Sequence, residues 1–219
     1  MIRYLFFDLD GTLTDPKEGI TKSVAYALDK VCGIQVDDLD TLTAYIGPPL
    51  VTAFMENHGV DRETALKCQD AYRERFRVVG LFENRLFPEM PGLLADLKAQ
   101  GYVLCTATSK PQDFAVRILD HFNLSQYFTL ISGATMDGTI STKLQVIEHT
   151  LAQLGHPDRD SVLMIGDRRH DIEGAHAAQV RAVGVLFGFG SREELERAGA
   201  DAIAPTIDDL PAVIASFAD

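Results

Sequence analysis

Ile2-Arg3-Tyr4-Leu5-Phe6-Phe7-Asp8-Leu9-Asp10-Gly11-Thr12 is short, nearly continuous in apolarity up to Phe7, and stops at two acids and an Asp-Gly step. A strand of a parallel sheet covered on both faces reads this way, because neither face meets water. Three later stretches repeat the pattern. Val103 to Ala107 ends at Thr108-Ser109-Lys110-Pro111, Ser161 to Ile165 ends at Gly166-Asp167, and Arg181 to Leu186 ends at Gly188-Phe189-Gly190. Phe128 to Ser132 and Ala202 to Ile203 are weaker strand candidates. Helical patterns lie between them: Met90 to Lys98 with Gly101 as a stop, Gln112 to Phe122, Lys143 to Leu154, Ser191 to Ala198 and Asp208 to Phe217. Strand and helix alternate from about residue 88 onward, which predicts βαβ units around a doubly wound parallel sheet, an α/β fold.

One region breaks the alternation. From Lys17 to Phe82 no strand pattern stands out; helices are expected around 18–31, 37–46, 49–58 and 61–79, with breaks at Gly33, Gly47-Pro48-Pro49 and Gly59. The expected organisation is therefore an α/β core of residues 1–15 and 83–219 and an all-helical domain of residues 16–82. The chain of 219 residues is 46% hydrophobic and 24% charged, enough apolar material for a sizeable core. Its net charge of −12 opposes binding to a nucleic-acid backbone or an anionic membrane surface. No stretch approaches the roughly 18 apolar residues of a membrane span. The first residues lack the basic and small-residue features of a signal peptide. Cys32, Cys68 and Cys105 form no C-x-x-C pair, and an odd, scattered set reads as thiols of a reduced, cytoplasmic protein.

In an open α/β sheet, ligands bind beyond the carboxyl ends of the strands. The residues there are Asp8, Asp10, Thr108, Ser109, Asp167 and Asp171, and Lys143 at a helix start is in reach. Crowded carboxylates repel each other unless a cation neutralises them, and an oxygen-only set suits Mg²⁺. A hydroxyl and a lysine beside that ion suit a phosphoryl group. Gly11 lets the chain turn so that both Asp8 and Asp10 serve one site, one acid attacking phosphorus and the other shuttling a proton. The same residues also read as an Asp-Gly turn closing a strand. Lys143 alternatively reads as a surface lysine, and Asp171 as a helix-start carboxylate facing the dipole.

Phe6-Phe7-Asp8-Leu9-Asp10-Gly11-Thr12-Leu13-Thr14-Asp15 resembles the first motif of the haloacid dehalogenase (HAD) superfamily of phosphohydrolases. Leu104 to Pro111 resembles the second, with Thr108 as the phosphate-binding hydroxyl, and Met164 to Asp171 the fourth, metal-binding motif. The resemblance implies a Rossmann-like HAD core with a helical cap. It also implies that Asp8 forms an aspartyl-phosphate and that Asp10 serves as acid and then base. Mg²⁺ would be held by Asp8, the Asp10 carbonyl, Asp167 and Asp171. Thr108 and Lys143 would hold the phosphoryl oxygens, with Ser109 beside them on the substrate. Many relatives follow the third-motif lysine with Pro, whereas Leu144 follows Lys143 here; Lys110 is the fallback for that role.

The implied function is Mg²⁺-dependent hydrolysis of a small phosphorylated metabolite. Within the superfamily that the chain resembles, dehalogenases lack the second aspartate because a halide leaves without a proton, so Asp10 argues for phosphoryl transfer. Similarity is closest to phosphoglycolate-phosphatase-like members, and Asp167-Arg168-Arg169-His170-Asp171-Ile172 looks as much like the 5′-nucleotidase branch. A phosphosugar mutase, such as a β-phosphoglucomutase-like isomerase, is the alternative; a non-catalytic binding module is a third reading, which the Asp8/Asp10 pair disfavours. A monomer or homodimer is expected. Thr43 to Leu50 is the candidate specificity loop of the cap, and Phe76, Phe82 and Phe87 read as core packing.

Overall fold

The computed structural model describes residues 1–217. The chain divides into two compact units, Met1–Asp15 with Leu86–Asp219, and Pro16–Arg85. The first is built on five parallel strands in the order β4-β1-β7-β8-β9: β1 Tyr4–Phe7, β4 Val103–Thr106, β7 Val162–Gly166, β8 Arg181–Val185 and β9 Ala202–Ala204. Tyr4 pairs with Val103 on one side and Val162 on the other, so β1 lies mid-sheet with Leu5, Phe6 and Phe7 completely buried. That explains the unbroken apolar run: no face of β1 meets water.

Phe128–Ser132 does not become a full strand. Leu130 makes a single bridge to Cys105 beyond β4, and the chain then pairs β6 (Gly133–Ala134) with β5 (Thr108–Pro111). Counting that bridge, the sheet reverses direction of travel between β1 and β7, and such a reversal opens a crevice at the carboxyl edge. Two short strands, β2 (Thr14–Asp15) and β3 (Arg85–Leu86), form a separate pair.

Helices α4 (Met90–Ala99), α5 (Gln112–His121), α6 (Lys143–Gln153), α7 (Arg169–Ala177), α8 (Arg192–Arg197) and α9 (Leu210–Ala215) connect or follow these strands. Val146, Ile147 and Leu151 of α6 and Ile172 and Ala175 of α7 bury one apolar cluster with Phe6, Cys105 and Met164 of the sheet. Thr142 caps α6 in a reciprocal box: its hydroxyl accepts from Gln145 N (3.3 Å), and Gln145 Oε1 accepts from Thr142 N (3.1 Å). The box fixes the first turn of α6, and with it Lys143.

The second unit is helical: α1 (Lys17–Cys32), a 3₁₀ segment Leu39–Tyr45, α2 (Leu50–His58), α3 (Arg62–Arg75) and a π-helical turn Phe76–Gly80. Asp61 caps α3 by accepting from Thr64 N at 2.8 Å. In the expected specificity loop, Tyr45 and Ile46 are buried within this unit, and the Tyr45 hydroxyl bonds His58 Nδ1 at 2.7 Å; Thr43, Pro48 and Leu50 are half-buried, and Ala44 and Pro49 exposed. The aromatic trio separates. Phe76 is buried and stacked on Tyr72, and Phe87 meets Phe187 edge-on. Phe82, two residues after the π turn, is 44% exposed where core packing was expected. No helix among the described residues is long and apolar enough to cross a membrane.

Candidate active site

At the end of β1 the chain turns back on itself. Leu9 O accepts from Leu13 N (2.9 Å) and Thr14 N (3.1 Å), and Gly11 N donates to Thr14 O (2.8 Å). Gly11 has φ +82°, and a Cβ there would lie 2.2 Å from Asp167 Oδ2. Only glycine meets both demands. The turn puts both Asp8 and Asp10 inside the unit, 4% and 8% exposed.

β7 ends at Gly166, and Asp167 and Asp171 follow, essentially without exposure. Asp8, Asp167 and Asp171 each offer an oxygen within 4.8 Å of the others. Lys143 reaches in from the start of α6. Its ammonium lies 3.0 Å from Asp8 Oδ1 and 2.7 Å from Asp171 Oδ1, and donates to Ala107 O at 2.9 Å. Lys110 takes the other acid, 2.8 Å from Asp10 Oδ2. Thr108 is buried, one residue beyond the carbonyl that Lys143 binds, and its hydroxyl accepts from Lys110 N at 3.2 Å. Ser109 is partly exposed, and among the described residues no hydrogen bond joins its side chain to the cluster. Asp8, Asp10, Lys143, Asp167 and Asp171 are thus joined or facing, with Thr108 adjacent and Ser109 at the margin.

Asp171 stands at the start of α7 as one reading of the sequence expected, and it also joins the buried acidic cluster. Its Oδ2 accepts from Arg168 N at 3.0 Å and caps α7, while Oδ1 faces Lys143. Lysine is the first residue of α6 and still buried, because Gly174 of α7 leaves room: a Cβ there would lie 2.7 Å from Lys143 Cβ.

Four buried carboxylates face two buried ammonium groups, so the set carries an excess of negative charge. Burial raises the pKa of Asp10 against the pull of Lys110. Burial pushes Asp167 well above its ordinary range, and Asp171 and Asp8 add to the rise. Burial pushes Asp171 up to about 6 despite Lys143. Lys143 is raised: desolvation opposes its charge, but Asp171 and Asp8 outweigh that. Asp10 Oδ1 and Asp167 Oδ1 are buried without a hydrogen-bond donor. Orphaned carboxylate oxygens in a net-negative, sulfur-free and nitrogen-free donor set fit a hard divalent cation such as Mg²⁺.

Sequence reasoning missed the loop after β8. Phe189 N donates to Asp167 Oδ2 at 2.8 Å, orienting that carboxylate. A Cβ on Gly188 would lie 2.4 Å from Asp167 Cβ, and one on Gly190 would lie 1.9 Å from Asp167 O. The Gly188-Phe189-Gly190 run was the visible signal, since paired glycines mark a close backbone approach. Glu194 was missed as well: its Oε1 accepts from Arg168 Nε and Arg169 N, both at 2.9 Å, and pins the start of α7.

A model of the haloacid dehalogenase-like hydrolases matches residues 5–185. A 5′-nucleotidase from Pseudomonas aeruginosa is 48% identical over 89% of this chain and 88% of the relative. The tyrosine-protein kinase PtkA of Mycobacterium tuberculosis is 39% identical over 94% of this chain and 70% of the relative. The crystal structure of a predicted phosphatase from Clostridium acetobutylicum superposes with a TM-score of 0.96, at 46% identity, covering 99% of each chain. The chain therefore belongs to the haloacid dehalogenase-like hydrolase family. Within that family it is a phosphatase, a phosphoric monoester hydrolase.

Proposed function

We propose that the protein is a Mg²⁺-dependent phosphatase of small phosphomonoesters, with nucleoside 5′-monophosphates as the favoured substrate class, acting through an aspartyl-phosphate on Asp8. The observation that carries this is the convergence of Asp8, Asp167 and Asp171 on one point, with Lys143 between two of them. Asp8 Oδ1 is tied by Leu9 N (2.8 Å) and Lys143, so its other oxygen is the nucleophile. It attacks phosphorus; the bond to the leaving alcohol oxygen breaks, and Asp10 supplies that oxygen with a proton. The elevated pKa of Asp10 suits an acid. Asp10, now a carboxylate, takes a proton from water, whose oxygen attacks phosphorus and frees Asp8 and inorganic phosphate. Lys143 and Thr108 hold phosphoryl oxygens as charge moves.

Asp8, Asp167, Asp171 and the Asp10 carbonyl would hold Mg²⁺, which supplies charge neutralisation at the phosphoryl group when bound. Millimolar Mg²⁺ is expected to raise Tm, by a stabilisation of about 2.7 kcal/mol at a hundredfold excess over Kd. EDTA should abolish phosphate release. Thermal melts and activity with and without chelator check both, and a Tm indifferent to Mg²⁺ would sink the metal assignment.

The helical unit is the cap in this reading, the part that selects the leaving group. The 48%-identical relative named 5′-nucleotidase favours nucleotides over phosphoglycolate. Phosphate release from nucleoside 5′-monophosphates, phosphoglycolate and hexose phosphates tests this. The highest kcat/KM should fall on a nucleotide; interconversion of a sugar phosphate without release would mean a mutase, and transfer to a tyrosyl peptide a kinase. Asp10→Asn is expected to lower kcat by about 10²–10⁴-fold, the range of general acid–base catalysis. A variant within threefold of the parent would remove Asp10 from that role.

A further inference from the structure

We propose that Cys32 and Cys68 form a redox-crosslinking site, which a low-molecular-weight disulfide such as oxidised glutathione closes into a bond stapling the end of α1 to α3. Their sulfurs lie 3.7 Å apart, although 36 positions separate them in the chain. That is contact distance, and a bond of about 2.05 Å needs only a modest approach. Cys32 is the last residue of α1, followed by the exposed Gly33 and Ile34, which close the helix with Gly33 N donating to Asp29 O (3.0 Å) and Ile34 N to Leu28 O (3.2 Å), so the approach of the two sulfurs falls to the Cys side chains. α1 and α3 already pack together, and Val24, Ala27 and Leu28 of α1 and Ala65, Ala71 and Tyr72 of α3 are buried.

The two thiols differ in access. Cys32 is partly exposed, whereas Cys68 is completely buried. Burial, with Cys32 beside it, pushes the Cys68 thiol up to about 12. Cys32 therefore meets the oxidant first. Its thiolate attacks one sulfur of oxidised glutathione; the Cys32–glutathione bond forms and one glutathione thiolate leaves. The Cys68 sulfur, losing its proton, then attacks Cys32 and expels the second glutathione. The protein loses two protons and two electrons, and one glutathione disulfide takes them up to become two thiols. Closure is slow because Cys68 is so weakly acidic, on the scale of minutes to hours for uncatalysed exchange. Cys105 takes no part: it is buried within β4 in the other unit.

The test is intact-mass spectrometry of the whole chain after hours with oxidised glutathione, followed by removal of the oxidant. The expected product has lost two hydrogens, carries no glutathione, and yields one peptide pair joining residues 32 and 68. Dithiothreitol restores it. Cys68→Ser should stop at a glutathione adduct on Cys32, Cys32→Ser should not react, and Cys105→Ser should behave as the parent. The crosslinked protein should melt about 5 °C or more above the reduced one, the scale expected for closing a loop of this length. A persistent adduct on Cys32 in the parent, an unchanged mass, a bond involving Cys105 or a Tm at or below the reduced protein's would each overturn the proposal.

Discussion

Asp8→Asn is expected to slow turnover by a factor on the order of 10⁶, the scale of losing an enzymatic nucleophile, while the fold persists. An amide does not attack phosphorus, so no aspartyl-phosphate forms. The structural cost is small. Asparagine keeps a carbonyl oxygen where Asp8 Oδ1 accepts from Leu9 N, and Lys143 keeps Asp171 as its partner. The substitution also removes one of three carboxylates whose oxygens lie within 4.8 Å, and with it a repulsion that raises both Asp167 and Asp171. In the absence of metal the variant should therefore melt at or above the parent. Phosphate release and a chelator-treated melt check the two halves. Activity within tenfold of the parent would withdraw Asp8 as nucleophile, and a Tm several degrees lower would make its carboxylate structural.

Gly11→Ala should damage both stability and catalysis. A side chain at φ +82° costs about 1–3 kcal/mol in backbone strain. Its Cβ would also sit 2.2 Å from Asp167 Oδ2 and 2.9 Å from the Phe189 ring, and forcing them apart adds about 1–3 kcal/mol of overpacking. Together these predict a Tm lower by about 10 °C at this chain length. The carboxylate that must move accepts the Phe189 N–H and belongs to the acidic trio, so kcat and the Mg²⁺-induced rise in Tm should fall too. Circular dichroism melts with and without Mg²⁺ separate the two effects. A variant with parental Tm and parental Mg²⁺ response would contradict the tight turn described here.

Much of the candidate site's edge was legible because strand ends are local events. Phe7-Asp8, Ala107-Thr108 and Gly166-Asp167 each show an apolar run stopping at a polar residue, and a parallel sheet brings such stops to one edge. Lys143 was harder to read. It lies on a helix, and its burial depends on the Thr142–Gln145 box and the gap at Gly174, 31 positions later in the chain. Lys110 stood in the second motif, but its pairing with Asp10 depends on β5, paired in parallel with β6, following the hydrogen bond from Ala107 N to Phe7 O beside the end of β1. Phe189 carries no chemistry in its side chain here; its backbone N–H does the orienting, and any non-proline residue has one.

By itself the sequence determined the α/β alternation, the helical interruption and the acids that end the strands. Each follows from neighbours a few residues apart, through burial on two faces or a break at glycine and proline. Only the tertiary structure decided which lysine faces which carboxylate, that Asp167 leans on a backbone amide 22 positions away, and that Cys32 and Cys68 touch. Those contacts join segments whose separation along the chain carries no local pattern. Their geometry arises when the burial of one helix or loop against another fixes what each side chain can reach.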